Sequence, residues 1–274
     1  MELLIDFASE EVEDDASEQD HDPRVHIAAL ALGLIYVGTG EDECAQPMIE
    51  RLLQCSDAEL SKPETRLYMV GLALIYLGCE EGADVARDIL STLSNKAFKD
   101  FALITLNACA YAGSGSVLKV RVDDSLSLSL SLSLTHTHTH APTQVQEMLH
   151  ACAEHIQEQD KSFHQASAVL GIAMITMGEE VGSNMAMRTM EHLLQYGEIP
   201  IRRIVPLAMS LLYVSDPDYS VTDLLSKLTH DQDEQVAMNA ILALGMIGAG
   251  TKKCSRENVK TLTHYCILHD THSN

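Results

Sequence analysis

Tryptophan is absent from this sequence of 274 residues, and aromatic residues make up only 4% of it. A core without large rings has to be filled by aliphatic side chains and by the 12 methionines. Aromatic and β-branched residues favour sheets, whereas Leu, Ala and Met favour helices. The composition therefore argues against an aromatic-rich β-sandwich and predicts an all-α fold of packed helices.

Basic residues are also scarce, because 18 Lys and Arg face 40 Asp and Glu, for a net charge of −22. Such a surface repels nucleic acid phosphates and anionic lipids, so we expect neither as a partner. No apolar run reaches the length that a membrane-spanning helix needs. The N-terminal stretch MELLIDFASEEVEDD is acidic, whereas signal peptides begin basic. We therefore expect a cytoplasmic and nuclear protein.

Sequence motifs for metal or catalytic chemistry are missing as well. None of the seven cysteines forms a Cys-x-x-Cys pair, so a zinc knuckle or a thioredoxin motif is not indicated, and free thiols point to a reducing compartment. There is no phosphate-binding loop, nucleophile elbow or HExxH motif. We interpret His164, His192 and His230 as packing or surface residues, and we expect no enzyme activity and no cofactor.

Internal repetition is the strongest positive signal. Six apolar segments rich in Ala, Gly and Leu each end in a Gly or Ser, at intervals of about 33–40 residues with one interval of about 65. This period is typical of helical hairpins stacked into an α-solenoid, with the closing residue in the left-handed conformation that ends a helix. The predicted closing positions are Gly38, Gly78, Gly113, Gly178, Ser215 and Gly248.

A second, amphipathic helix is expected after each apolar one. Val85, Ile89 and Leu93 stand at positions i, i+4 and i+8, which places them on one helical face that we expect to be buried. The segment from Val221 to Leu228 shows the same spacing.

The long interval contains an unusual tract, in which Ser125 to Gln144 reads SLSLSLSLSLTHTHTHAPTQ. As a strand it would place every Leu on one face, but there is no sheet for it to join. As a metal site, His136, His138 and His140 would share one face of an extended chain, without further polar groups to orient them. As translated DNA, CTCTCT encodes Leu-Ser and ACACAC encodes Thr-His, which are two adjoining dinucleotide repeats.

The flanks of the tract favour the translated-repeat interpretation. The codons of Lys119 and Val120 can form a splice donor, and the codon of Gln144 can form the CAG of a splice acceptor. Removing 120–144 would join SVLK to VQEML and restore an interval of about 40 residues. We interpret the tract as a retained intron that forms a disordered, low-complexity insert. A functional flexible linker and a metal site are the alternatives.

The remaining motifs carry a family resemblance. CAYAGSG, VLGIA, MGEE and VPLA follow one another in the order found in the proteasome/cyclosome repeats of the 26S proteasome non-ATPase regulatory subunit 2 family, which this chain resembles from Ile27 to Thr251 outside the tract. The resemblance implies an α-solenoid that is part of a toroid. It divides the chain into an acidic, disordered segment (1–26), two blocks of repeats (27–119 and 145–251) separated by the insert (120–144), and a tail unlike the family (252–274).

The resemblance also implies a function. Members of the family are non-catalytic scaffolds of the regulatory particle base, beside the proteasomal ATPase subunits, and they bind ubiquitin, shuttle proteins with ubiquitin-like domains, and a deubiquitinase. The alternatives are a generic helical-repeat adaptor and a truncated product without function.

The resemblance further assigns a binding face for ubiquitin-like domains. It places Glu43, Glu50 and Gln54 at the acidic positions of this face, and Asp84 and Asp88 extend it onto the next repeat. Pro47 predicts that the helix starts there, which leaves Glu43 in the preceding loop. The alternative for each of these residues is an ordinary solvated acidic surface.

Deleting residues 120–144 tests the interpretation of the insert. We expect the free energy of unfolding to stay the same or to rise by less than about 1 kcal/mol, because shortening an exposed loop by this amount changes its closure entropy little. Urea denaturation followed by circular dichroism measures this change. A deletion variant with less helix, or with a much lower midpoint, would contradict the interpretation.

Overall fold

The computed structural model describes residues 23–115, 144–153 and 163–250. The acidic segment before Pro23, nearly all of the 120–144 insert and the tail from 252 lie outside these ranges. Every regular element within them is helical, which confirms the predicted all-α fold. None of the helices in this part of the chain is long and apolar enough to cross a membrane.

The chain divides into two compact units, Met1–Ala112 and Gly113–Asn274. The described helices of the first unit are α1 (Pro23–Ile35), α2 (Asp42–Gln54), α3 (Asp57–Leu60), α4 (Pro63–Ile75), a 3-10 turn (Glu80–Ala83), α5 (Asp84–Leu90) and α6 (Lys96–Ala110). Those of the second unit are α7 (Gln144–Ala153), α8 (Phe163–Thr176), α9 (Glu180–Tyr196), α10 (Ile199–Leu212), α11 (Tyr219–Leu228) and α12 (Glu234–Gly248).

Each unit contains a row of apolar helices that contact one another in chain order. The row helices are α1, α4 and α6 in the first unit and α8, α10 and α12 in the second. A helix with neighbours on two sides buries most of its circumference, which explains why α4 buries Tyr68, Met69 and Leu72 around its surface. Flanking helices lie beside each row: α2 and α5 in the first unit, α9 and α11 in the second. This arrangement confirms the helical-repeat solenoid in each unit, and the toroid stays a prediction.

Glycine allows the first two row helices to touch backbone to backbone. A Cβ atom added to Gly33 would lie 2.1 Å from the carbonyl oxygen of Gly71, and one added to Gly71 would lie 2.4 Å from that of Ala29. Both distances are far below van der Waals contact, so no side chain fits at this crossing. The small residues of the apolar segments therefore set how closely α1 and α4 approach.

A turn with two left-handed glycines joins one repeat to the next. Gly38 and Gly40, after α1, have φ angles of 69° and 61°. Their N–H groups donate to the carbonyl oxygens of Leu74 and Ile75 at the end of α4, at 3.1 and 3.0 Å. The turn after one row helix thus satisfies carbonyls that the next row helix leaves without intrahelical partners.

The same turn occurs in the second unit. Gly113 and Gly115 have φ angles of 72° and 64°, and they donate to Met174 and Ile175 at the end of α8, at 2.7 and 2.9 Å. Sequences GTG and GSG thus build the same hydrogen-bonded turn.

A third copy of the turn follows α4, with one departure. Gly78 has a φ angle of 74° and donates to the carbonyl oxygen of Cys109 at 2.9 Å. The second left-handed position is held by Glu80, with a φ angle of 46°. A non-glycine residue rarely adopts this conformation, so the backbone is strained there.

Five of the six predicted closing positions have a positive φ angle, including Ser215 at 60°. The prediction for Gly248 is wrong, because Gly248 lies inside α12 and the left-handed residue is Gly250, with a φ angle of 75°. Helix α12 thus includes Gly248 as its last residue, and the left-handed residue comes two positions later than the sequence pattern indicated.

The predicted buried face of Val85, Ile89 and Leu93 is wrong at Val85, whereas Ile89 is half-buried and Leu93, after the end of α5, is buried. Val85 is 71% exposed, and the buried side chains of this helix are Ala86 and Leu90. The 3-10 turn before α5 buries Ala83 and so selects a different face of the seven-residue helix. In α11 the predicted face is confirmed, since Val221 and Leu225 are 1% and 0% exposed.

The close approach of α1 and α4 can be tested by substituting Gly71. We expect Gly71→Ala to lower the free energy of unfolding by about 1–3 kcal/mol, because the added methyl forces the two helices apart. The matched control is Gly245→Ala, where a Cβ atom meets nothing within 4 Å. There the same change should raise the free energy by about 0.5–1 kcal/mol through helix propensity. Urea unfolding of dilute protein measures both, and equal effects of the two substitutions would contradict the tight contact.

Candidate functional site

Helix α2 carries the first three residues of the predicted binding face. The prediction that this helix starts at Pro47 and leaves Glu43 in a loop is wrong, because α2 runs from Asp42 to Gln54 with Pro47 inside it. A proline within a helix removes one backbone hydrogen bond, which costs free energy. The buried side chains of Cys44, before Pro47, and Met48, after it, stabilise the helix and offset this cost.

A continuous α2 brings the three residues together. Glu43, Glu50 and Gln54 are all exposed, and spacings of seven and four residues place them within about 40° around the helix. Within the described residues, Glu43 makes no hydrogen bond or ion pair, and Glu50 accepts one hydrogen bond from the side-chain amide of Gln46 at 3.1 Å. Two carboxylates on this face are therefore open to a partner, and Gln54 supplies a neutral amide.

Charge at the start of α2 also acts on its neighbours. Burial raises the pKa of the Cys44 thiol, and the carboxylates of Glu41 and Glu43 raise it further. Burial also raises the pKa of Tyr76 to about 12, and Asp42, which accepts a hydrogen bond from the Tyr76 hydroxyl at 3.4 Å, adds to this shift. Asp42 is thus exposed but in contact with Tyr76 at the end of α4, whereas Glu43 is exposed without such a contact.

Helix α5 contacts α2 and carries the remaining two candidates. Asp88 is exposed, as predicted for a member of a binding face. Asp84 is exposed too, but it forms an ion pair with Arg87 one turn along the helix. The charge of Asp84 is therefore largely balanced within the chain, and Asp88 is the better continuation of the α2 face.

Arg87 is the residue of this region that sequence reasoning missed. Its Nε donates to the side-chain oxygen of Asn107 at 2.8 Å, and its guanidinium lies 5.9 Å from the ring centre of Tyr111. It thereby ties α5, with Asp84, to the row helix α6. The Asp-x-x-Arg spacing of 84 and 87 is a signal for the ion pair, whereas the contacts with α6 have no signal in the local sequence.

Acidic residues of the second unit illustrate a structural use of carboxylates. Asp233 caps the start of α12 by accepting from the N–H of Gln235 at 2.9 Å, and Arg203 of α10 donates to it at 3.0 Å. Burial opposes ionisation, but these hydrogen bonds outweigh it and lower the pKa of Asp233. Arg202 forms a longer ion pair with Asp231, at 3.6 Å. These acids fasten one repeat to the next.

The described cysteines and histidines do not form a reactive group. The five cysteines in these ranges are unpaired thiols, and burial raises the pKa of Cys109 to about 11 and that of Cys152 to about 12. His164 is buried in α8, His230 is exposed, and the ring of His192 lies 4.9 Å from that of Tyr196. No group of three or more metal-binding side chains occurs in the described ranges, and the predicted His136, His138 and His140 lie outside them.

Substituting Arg87 tests its role in holding α5. We expect Arg87→Met to lower the free energy of unfolding by about 1–3 kcal/mol, because the buried side chain of Asn107 loses its partner. Asp88→Ala, which removes an exposed charge from the same helix, should change it by less than about 0.5 kcal/mol. Chemical denaturation measures both values. An Arg87→Met variant with an unchanged free energy of unfolding would show that the contacts of Arg87 with Asp84 and Asn107 do not hold α5 in place.

Comparisons with known proteins give a consistent result. No protein-family model matches the chain. The chain is 43% identical over 227 residues to the 26S proteasome non-ATPase regulatory subunit 2 homolog A of Arabidopsis thaliana. The aligned residues cover 83% of this chain and 22% of that protein. It is 39% identical over 248 residues to the 26S proteasome non-ATPase regulatory subunit 2 of Dictyostelium discoideum. That alignment covers 90% of this chain and 24% of the Dictyostelium protein.

A third relative, the 26S proteasome regulatory subunit rpn-1 of Neurospora crassa, is 39% identical over 230 residues, or 82% of this chain and 23% of the relative. The chain thus spans about a quarter of the length of these curated relatives. The similarity extends over most of the chain, on both sides of the Ser-Leu tract. The chain belongs to the family of 26S proteasome non-ATPase regulatory subunit 2.

Proposed function

We propose that this chain is a non-catalytic scaffold segment of the proteasome regulatory particle, where it serves ubiquitin-dependent protein degradation in the cytoplasm and nucleus. The observation that carries the proposal is the 39–43% identity to curated proteasome regulatory subunits over 82–90% of the chain. The stacked repeats suit this role, because flanking helices such as α2 and α9 present exposed faces while the row helices form the core. Proteasomal ATPase subunits are the expected neighbours.

The finer proposal concerns the acidic face of α2, defined by Glu43, Glu50 and Gln54 and continued by Asp88 on α5. We propose that it docks ubiquitin and the ubiquitin-like domains of shuttle proteins or of a deubiquitinase. The two carboxylates open to solvent support this, since exposed acids steer a basic partner and fix its orientation. Asp84 contributes less, because Arg87 already balances its charge.

The affinity of such a face is expected to be weak. Exposed ion pairs each contribute between about 0 and 1 kcal/mol, so two carboxylates cannot by themselves support tight binding. The buried side of α2 holds the acids in place through Ile49 and Leu52, 5% and 1% exposed. Binding therefore needs no rearrangement of the helix.

Charge reversal tests the docking face. We expect Glu43→Arg with Glu50→Arg to weaken binding of an isotope-labelled ubiquitin-like domain by about tenfold and to reduce the salt dependence of the affinity. NMR titration of the labelled domain measures both. The control, with the same change in net charge, is Glu191→Arg with Asp216→Arg, two exposed acids of the second unit.

The control distinguishes a local site from bulk electrostatics. Binding that falls equally in both double variants would mean that only the net charge matters. An unmodified chain that shifts no resonance of ubiquitin or of a ubiquitin-like domain would refute the docking proposal, and it would favour an adaptor with other partners. Incorporation of the tagged chain into purified regulatory particles tests the scaffold proposal separately.

A further inference from the structure

Helix α9, a flanking helix of the second unit, exposes large apolar side chains on the side that does not pack. Met187 and Met190 are buried on its inner side, through which α9 contacts the row helices α8 and α10. On the opposite side, Val181, Met185 and Tyr196 are 55%, 42% and 75% exposed. The contacts with α8 and α10 therefore leave these three side chains in solvent.

These apolar residues share one side of the helix with two basic residues. At about 100° per residue, Val181, Arg188, His192 and Tyr196 all lie within about 60° of Met185 around the helix. Arg188 and His192 are exposed as well. We call these five residues the α9 stripe, and a rise of about 1.5 Å per residue makes it about 22 Å long.

The α9 stripe contains no acid, although the chain has 40 Asp and Glu against 18 Lys and Arg. The two acids of α9, Glu180 and Glu191, lie about 140° and 120° from Met185 around the helix. Within the described residues, the side chains of Arg188 and His192 make no hydrogen bond and no ion pair. The charge of Arg188 is therefore not balanced by a carboxylate on the stripe.

Arg188 differs in this respect from the other described arginines of the second unit. Arg202 and Arg203 each pair with an acid, at 3.6 and 3.0 Å. Arginine, tyrosine and methionine are also residue types that are enriched at protein interfaces. A single exposed apolar residue is ordinary, whereas apolar residues in line with an unpaired arginine indicate a contact surface.

We propose that the α9 stripe is a docking surface for an acidic amphipathic helix of a partner protein. Charge complementarity selects this occupant, because apolar residues at every third or fourth position can cover the apolar part of the stripe while a carboxylate lies against Arg188. A basic helix, or the α9 stripe of a second copy, would place like charge against Arg188. The inference goes beyond the scaffold function and does not depend on the acidic face of α2.

A labelled peptide tests the chemistry of the occupant. The probe is a fluorescein-labelled helix of about 18 residues, long enough to cover the stripe, with Leu at every third or fourth position and Glu on both sides of the Leu row. The control peptide carries Gln in place of Glu. Fluorescence anisotropy with the full chain should show about two- to fivefold tighter binding of the Glu peptide, which is the range of an exposed ion pair. The net charge of −22 acts in the opposite direction.

Matched substitutions test whether binding occurs at the stripe. Tyr196→Ala should weaken binding of the Glu peptide by about tenfold. Tyr219→Ala, at a tyrosine of α11 that is 85% exposed, should leave it unchanged. Arg188→Glu should abolish the preference for the Glu peptide over the Gln peptide, whereas Lys62→Glu, the same charge change at an exposed lysine, should retain it. Circular dichroism establishes that the variants fold.

The results distinguish this occupant from others. A Glu peptide that does not bind at up to about 1 mM, or that binds more weakly than the Gln peptide, would overturn the proposal. Equal weakening by Tyr196→Ala and Tyr219→Ala would overturn it too, because binding would then not be local. Self-association of the unmodified chain that Arg188→Glu abolishes, measured by sedimentation velocity, would show that a second copy covers the stripe instead.

Discussion

The contact between consecutive row helices is the constraint on which the first unit depends. It has two parts: a crossing without side chains, as at Gly33 and Gly71, and a left-handed turn whose N–H groups bind the end of the next row helix. The crossing sets the distance between repeats, and the turn sets their register. An apolar helix cannot satisfy its last carbonyls alone, so each repeat is completed by its neighbour.

This constraint decides where a binding face can lie. Row helices bury much of their surface against one another, so most exposed polar residues lie on the flanking helices. Helix α2 shows the result, since Met48 and Leu52 are buried while Glu43 and Glu50 point to solvent. The candidate site is therefore rigid on its inner side and charged on its outer side.

The many acids of the chain serve two different purposes. Asp84 is held by Arg87 on its own helix, and Asp233 is held by Arg203 of α10 and fastens α12 to that helix, in keeping with its lowered pKa. Glu43 and Glu50 have no cationic partner within the described residues and leave their charge to solvent. Net charge alone cannot separate these groups, because both contribute equally to it. Only the position of Arg87 and Arg203 distinguishes a structural acid from an available one.

The sequence by itself determined the helical class, the repeat period, five of the six left-handed turns, and the family through ordered motifs. These features are local, since apolar periodicity and turn glycines act within a few residues. It also named the acids of the α2 face, although through family resemblance. Tertiary structure decided that α2 continues through Pro47, that α5 buries Ala86 instead of Val85, and that α12 includes Gly248, so that Gly250 is the left-handed residue. Each of these outcomes depends on burial against a neighbouring helix, and the free energy of that contact exceeds the local preference that the sequence pattern expresses.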